Sequence, residues 1–298
     1  MSRILNIGSI NLDEVFSVPH FIRPGETMAC RAYERFVGGK GNNQSTALAR
    51  AGAEVHHAGK VGADGRFAVD LLRESGVEVS RVLEGATPSG RALIQVEEGG
   101  QNCIILFGGA NRAITRKDLD GFLDGWGKGD SILLQNETSE LAYTMEKAAE
   151  RGLRMYFNPS PADEIIGALP LDLVDCFILN EVEGAILCGI EPAAAEPVAM
   201  LGALRSRFPR ADLLLTLGPA GSRWSGLDGT ALVVPAAPAR VVDTTAAGDT
   251  FTGYFIAATL RGEPPAAALD EATRAAAICV SRKGAAPSIP KREELGKG

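Results

Sequence analysis

Short apolar runs alternate with stretches of helical periodicity along the whole 298-residue chain. This alternation confines the fold to the α/β class. A strand that is apolar throughout needs cover on both faces, and parallel neighbours must be joined by crossovers, usually helical. The runs Arg3–Ile10, Ser131–Gln135, Arg154–Phe157, Cys176–Leu179 and Asp212–Leu217 predict strands. Helices are predicted at Asn43–Ala51, Phe67–Glu74, Thr138–Glu150, Pro197–Phe208, Asp249–Leu260 and Glu271–Ser281, most of them stopped near Gly or Pro. The expectation is a doubly wound, mainly parallel sheet with flanking helices. Ligands of such sheets bind beyond the carboxyl ends of the strands. Polar residues collect at five of these ends: Asn11 and Asp13, Asn136 and Glu137, Asn158-Pro159-Ser160, Asn180-Glu181, and Thr216-Leu217-Gly218. Any one of them is also what a helix cap looks like; the five together predict one shared cleft.

Two segments break the parallel pattern. Arg91–Glu97 alternates, and a Glu98–Asn102 turn leads into Cys103–Phe107, which reads as a β-hairpin. Met28–Phe36 also alternates, with Arg31, Tyr33 and Arg35 on one side. These segments predict a small β-sheet lid, about 12–36 and 88–110, within a single domain spanning 1–298. Because Cys103–Phe107 is apolar on both faces, one face is expected to cover substrate and the other to meet a second copy of the chain.

Hydrophobic residues make up 45% of the chain and charged residues 22%, as in a globular protein with a substantial core. The net charge of −7 argues against the broad basic surface that nucleic-acid binding requires. The five cysteines are scattered, odd in number and without a CxxC pair, so free thiols in a reducing compartment are expected, mostly as small core residues. The three histidines show no metal-ligand spacing. No signal-peptide pattern opens the chain, and no apolar run approaches the roughly 20 residues needed to cross a bilayer. A cytoplasmic location is expected, with no membrane partner.

The strongest chemical signal is Asp243-Thr244-Thr245-Ala246-Ala247-Gly248-Asp249-Thr250-Phe251, running into a helix. Small residues there let a ligand approach the backbone, and the free amides and dipole of a helix N-terminus favour an anion. That is a seat for a phosphoryl group in transfer, and Asp249 at the same turn can take a proton from a nearby hydroxyl. A second signal, Gly38-Gly39-Lys40-Gly41-Asn42-Asn43-Gln44, lacks the GxxxxGK spacing of a P-loop but suits a polyhydroxylated ligand, since side-chain amides both donate and accept. The third is Thr216–Trp224, a strand end followed by a glycine-rich loop and a hairpin, which holds a nucleotide or simply turns the chain.

In order, these signals and their companions resemble the ribokinase family of carbohydrate kinases nearly end to end: Gly8–Asn11 with Asp13, Pro24–Thr27, Gly38–Asn43, Asn158–Ala162, Asn180 with Glu181 and Glu183, Thr216–Gly221, Asp243–Phe251 and Arg282–Pro290. The forms at Ala246–Asp249 and Arg282–Ser288 are similar to the ribokinase branch rather than to adenosine or fructose-phosphate kinases. The resemblance implies transfer of the γ-phosphoryl group of Mg-ATP to a sugar, D-ribose above all, and a lid that pairs in a homodimer. It makes Asp249 the base and gives the anion hole to the amides of Ala246, Ala247 and Gly248. It assigns Asn11, Asp13, Gly39, Lys40, Asn43 and Glu137 to the sugar. It assigns Asn180, Thr216, Gly218, Gly221 and Gly248 to ATP, with Glu183 organising Mg²⁺ and phosphate. Thr273 stands near adenine where a longer polar residue is common. Asp243, Thr245, Cys279, Arg282, Gly284 and Ser288 line up with a monovalent-cation site suited to K⁺. Asn42 replaces a usual small residue. Its side chain either enters the sugar pocket and shifts the preferred sugar, or faces solvent or caps a helix and leaves ribose in place. The alternatives are a kinase for another small sugar or a nucleoside, and a non-catalytic sugar sensor. A dinucleotide oxidoreductase lacks support, since no GxGxxG follows the first strand.

Overall fold

The computed structural model describes residues 2–191 and 196–296. Its larger sheet has nine strands. In chain order these are β1 (Ile4–Ile7), β4 (Val55–Val61), β5 (Glu78–Glu84), β8 (Ser131–Gln135), β9 (Arg154–Asn158), β10 (Cys176–Asn180), β11 (Asp212–Thr216), β12 (Ser222–Ser225) and β13 (Ala231–Val234). Across the sheet the order is β13-β12-β11-β10-β9-β8-β1-β4-β5. All pairings from β11 to β5 are parallel, and β12 and β13 add an antiparallel edge. The doubly wound expectation therefore holds. Successive strands are added in one direction across the sheet from β1 through β4 to β5 and in the other from β8 to β11, so the topological switch point lies between β1 and β8. There the flanking connections diverge and leave a crevice.

Alternate residues of the central strands feed two separate cores. On one face Ile4, Leu133 and Leu214 pack with helices α1 (Lys40–Arg50), α2 (Arg66–Glu74), α7 (Ala247–Leu260) and α8 (Pro265–Val280). On the other, Leu5, Leu134 and Leu213 pack with α3 (Arg116–Phe122), α4 (Leu141–Glu150), α5 (Glu181–Cys188) and α6 (Pro197–Arg207). Helices α1 and α7 touch almost backbone to backbone. A Cβ built on Gly253 would lie 2.4 Å from that of Ala47 and 2.8 Å from the Leu48 nitrogen. This contact sets the N-terminal half of α1 beside the N-terminus of α7.

The second sheet has four strands in the order β3-β2-β6-β7, formed by β2 (Asn11–Ser17), β3 (Ala32–Gly38), β6 (Gly90–Val96) and β7 (Asn102–Phe107). The hairpin is the expected one, and β2 pairs antiparallel with β3 and parallel with β6. Ion pairs from Lys283 to Glu34 (2.8 Å) and from Arg91 to Asp64 (2.7 Å) tie this sheet to the rest of the molecule.

Several boundaries differ from expectation. The predicted strand Arg3–Ile10 ends at Ile7, because a Cβ on Gly8 would sit 2.5 Å from both the Gly41 Cα and the Gln135 Oε1. The chain turns there, and Asn11 opens the lid rather than closing a core strand. Met28–Phe36 becomes Ala32–Gly38. Helix α4 starts at Leu141 rather than Thr138, since Glu140 takes a left-handed φ of 56°. Helix α8 starts at Pro265, six residues before the expected Glu271 (271 − 265), with Pro in its first turn, where a missing N–H costs nothing. Strands β4 and β5 were not foreseen; the hairpin expected after the loop at Thr216 is formed by β12 and β13. Of the cysteines, only Cys176 and Cys279 are buried; Cys30 and Cys103 are exposed, so the core role extends to two of the five.

Candidate active site

The site begins at the N-terminus of α7. Ala246 caps it in a left-handed conformation, φ 60° and ψ 9°, and this costs a non-glycine residue about 1–2 kcal/mol. The Ala247 N–H is occupied, donating to the Thr244 carbonyl at 3.2 Å. Of the expected trio, the Ala247 amide is thus engaged within the turn itself. The first-turn N–H groups without an intrahelical acceptor beside the carboxylate belong to Gly248 and Asp249.

Asp249 is buried, at 8% exposure. Its Oδ2 accepts from the Asn43 Nδ2 at 3.0 Å and its Oδ1 from the Gln44 Nε2 at 2.9 Å. Both donors come from the first turns of α1, which the Gly253–Ala47 contact brings alongside. The start of α1 is fixed in turn by the β1–β2 turn. A Cβ on Gly41 would lie 2.4 Å from the Ser9 nitrogen, and Gly39 has a φ of 90° that only glycine adopts without strain. Glu137, just beyond β8, accepts through Oε2 from the Lys40 N–H at 2.9 Å and from the Ser9 hydroxyl. Asn11 is set by Asn111, whose Nδ2 donates to its Oδ1 at 2.7 Å. A Cβ on Gly90 would strike both side chains at 2.2 Å.

The structure thus joins Asp13, Lys40, Asn43, Glu137 and Asp249 in one electrostatic cluster. Burial, with Glu137 and Asp249 nearby, raises Asp13 to about 7. Burial disfavours the Lys40 ammonium, but Asp249, Glu137 and Glu183 outweigh it and hold Lys40 above its ordinary value. A cation is required among these carboxylates, and Lys40 is where it sits.

At the β10 end, Asn180 caps α5 and forms a capping box with Glu183. Glu183 is buried; its carboxylate accepts from the Asn180 N and Nδ2, each at 2.9 Å, and from the Asn158 Nδ2 at 3.3 Å. Burial raises Glu183, against the pull of the Asn180 N–H, the Ser160 hydroxyl and the Lys40 charge. At the β11 end, the Thr216 hydroxyl donates to the Leu179 carbonyl at 3.1 Å, so it braces two strands. Gly218 and Gly221 both take positive φ, and a Cβ on Gly221 would meet the Val234 carbonyl at 2.1 Å. Thr273, on α8, has a buried hydroxyl without a protein partner.

Asp243 clamps two loops: its Oδ1 accepts from the Thr245 N–H (2.9 Å) and hydroxyl (2.6 Å), and its Oδ2 from the Gly284 N–H (2.9 Å). Those bonds outweigh burial and lower Asp243. Cys279 bridges the Thr245 carbonyl at 3.7 Å and the Ser288 hydroxyl at 3.1 Å. The Arg282 side chain turns away to Glu294 at 2.7 Å.

Asn42 follows neither expected course. It is 1% exposed and donates to the Asn43 Oδ1 at 3.2 Å. It lines a separate cleft of about 440 Å³ with Arg35, Thr46 and Arg50, in whose walls Asp13, Lys40, Asn43 and Asp249 take no part. Its effect is to orient the Asn43 amide toward Asp249. Sequence reasoning also missed Gln44, Asn111 and Gln135 as site residues. Gln44 was visible at the end of the Gly38–Gln44 run; nothing in the local pattern marked the other two.

Comparison with known proteins gives the class. Residues 1–292 match the pfkB family carbohydrate kinases, and the chain belongs to that family. It is 34% identical to the ribokinase of Haemophilus influenzae, covering 97% of this chain and 95% of that protein. It is 31% identical to the deoxyribokinase of Salmonella typhi, covering 98% and 96%. The structure of Arabidopsis thaliana ribokinase complexed with ribose and ATP matches with a TM-score of 0.88 at 29% identity, covering 99% and 98%.

The raised Asp13 carboxyl makes a testable signature. A carboxyl whose folded value lies above its unfolded one contributes stability that is complete below the unfolded value and is lost as pH rises through the folded one, here between about 4 and about 7. Asp13→Asn should therefore raise the melting temperature of the ligand-free protein more at pH 8 than at pH 5. Glu137, Asp249 and Lys40, the charged groups around it, stay in place in both proteins. An equal change at the two pH values would contradict the assignment.

Proposed function

We propose that the protein transfers the γ-phosphoryl group of ATP to a sugar hydroxyl, with D-ribose as acceptor and D-ribose 5-phosphate as product. One observation carries this reading. A buried carboxylate, Asp249, shares its helix N-terminus with amides suited to an anion, and two amides of the sugar-binding helix grip it. Asp249 takes the proton of the attacking hydroxyl, and the Gly248 and Asp249 N–H groups face the charge growing on the transferring group. Asn11, Asp13, Gly39, Lys40, Asn43 and Glu137 hold the sugar hydroxyls. Asn180, Thr216, Gly218 and Gly221 hold the nucleotide, with the orphan hydroxyl of Thr273 directed to its base.

Among the described residues no group of three His, Cys, Asp or Glu gathers as a metal cage. Mg²⁺ keeps several waters and is held largely by substrate phosphates, and Glu183 is the residue that would help hold it beside the nucleotide. Bound there, Mg²⁺ neutralises phosphate charge. The Asp243–Gly284 clamp supports a K⁺ seat formed by the carbonyls around Thr245, Arg282, Gly284 and Ser288, with Arg282 contributing only its backbone. The small sheet supports a homodimer. β7 is exposed along its length, and Ile104, Ile105, Leu106 and Phe107 stand at 49%, 59%, 55% and 49% exposure. An apolar strand of this kind suits an isologous two-fold contact. With an ordinary reducing complement of free thiols, a cytoplasmic setting fits.

The similarity to a deoxyribokinase favours 2-deoxyribose as the second reading. The ribokinase forms of the motifs, with Asn42 lining a cleft whose walls do not include Asp249, support ribose as the first reading. The test is kcat/KM by coupled ADP release for ribose, 2-deoxyribose, other pentoses, fructose and nucleosides. Ribose is expected to lead; any other acceptor exceeding it by about tenfold or more would reassign the substrate. Rates in K⁺ should exceed those in tetramethylammonium at matched ionic strength, and equal rates would remove the cation site. Light scattering at micromolar concentration should give a dimer; a monomer would refute the β7 interface.

A further inference from the structure

Gln44 lies outside the sugar and nucleotide sets. Its side chain is nonetheless fully buried, and both N–H groups and the carbonyl oxygen of its amide are hydrogen-bonded. One N–H goes to the Asp249 Oδ1 at 2.9 Å and the other to the Asn158 Oδ1 at 2.9 Å, while the carbonyl oxygen accepts from the Gln135 Nε2 at 2.7 Å. The direction of this amide is imposed from behind. Gln135 gives its second N–H to the Asn6 Oδ1 at 2.9 Å, and Asn6 donates to the Gly41 carbonyl and the Ser45 hydroxyl, both at 2.8 Å. Turning the Gln44 amide over would set its oxygen against two acceptors and its N–H₂ against a donor, leaving three buried groups unpaired.

A carboxylate's rotation about its last bond is soft. Asn43 alone would leave the Asp249 plane free to swing about one oxygen; a second donor on the other oxygen fixes it. The same Gln44 amide reaches Asn158, whose Nδ2 donates to the Glu183 Oε2 at 3.3 Å. We propose that Gln44 is a positioning residue for phosphoryl transfer, one that sets the plane of the Asp249 carboxylate and ties it through Asn158 to Glu183 on the nucleotide side.

The proposal rests on the sugar-kinase reading, and the experiment separates the two. Gln44→Met keeps the length of the side chain and removes the amide. In the full-length protein, kcat with ribose and ATP should fall about 10- to 100-fold, the worth of one hydrogen bond to a charged group. Both KM values should stay within about threefold, because the sugar and nucleotide contacts survive. Added to Asp249→Asn, the same substitution should lower the residual kcat by less than about twofold, since its effect passes through that carboxylate. A purely structural role would instead add in full to Asp249→Asn. Gln135→Met is the second variant: it touches no atom of Asp249, removes the donors to Gln44 and to Asn6, and should lower kcat without moving KM.

A folded Gln44→Met with kcat within about twofold of the parent, a loss confined to KM, or full additivity with Asp249→Asn would overturn the proposal. Should Gln44→Met fail to fold, a Gln135→Met protein with parental kcat would do the same. A parent that releases no ADP with any sugar overturns the kinase reading itself, and the role of Gln44 with it.

Discussion

The grip of two α1 amides on the Asp249 carboxylate is the interaction on which the site depends. It requires α1 and α7 to meet at backbone distance, which Gly253 and Ala47 permit. It also requires α1 to start where the β1–β2 turn leaves room, which Gly8 and Gly41 provide. The glycine-rich run at the head of α1 and the small residues at the head of α7 are thus two halves of one packing solution. A bulky residue in either would separate the base from its donors before it altered any contact with substrate.

Around that grip the cleft concentrates charge. Asp13, Glu137, Glu183 and Asp249 lie near one another at the switch point of the sheet, with Lys40 as the cation among them. A site that must hold a sugar through its hydroxyls needs acceptors, and crowding them raises the cost of keeping each ionised. The raised Asp13 and the raised Lys40 are two faces of that crowding. A buried amide chain serves the same end without adding charge. It runs from Asn6 through Gln135 and Gln44 to Asn158, which donates to Glu183, and at the Asn6 end it continues through Ser45 to His57. Burial lowers that ring to about 4, so it stays neutral, and its Nδ1 is hydrogen-bonded with the Ser45 hydroxyl at 2.8 Å.

The doubly wound sheet was legible because the buried central strands β8, β9, β10 and β11 are apolar throughout. The strands that escaped notice, β4 and β5, lie toward one margin of the sheet. There His56, Lys60, Glu78 and Arg81 interrupt the apolar pattern. The residues that meet ligand in the resemblance were legible as well, since they fall in short motifs of fixed spacing. The supporting shell was not. Gln44 meets Asp249 across 205 residues of sequence, and Asn111 meets Asn11 across 100, so no local pattern records either partnership. Asn42 shows the same limit: its position next to Asn43 invited a choice between pocket and cap, and only the packing of α1 against β3 turned it toward neither.

The central claim is that Asp249 removes the proton of the sugar hydroxyl while the nucleotide is held by other groups. The most direct measurement compares Asp249→Asn with the parent for both kcat with ribose and equilibrium binding of ATP. Loss of a general base predicts a kcat lower by about 10²-fold or more, with ATP binding essentially unchanged. A correctly folded Asp249→Asn protein that turns over at close to the parental rate would contradict it.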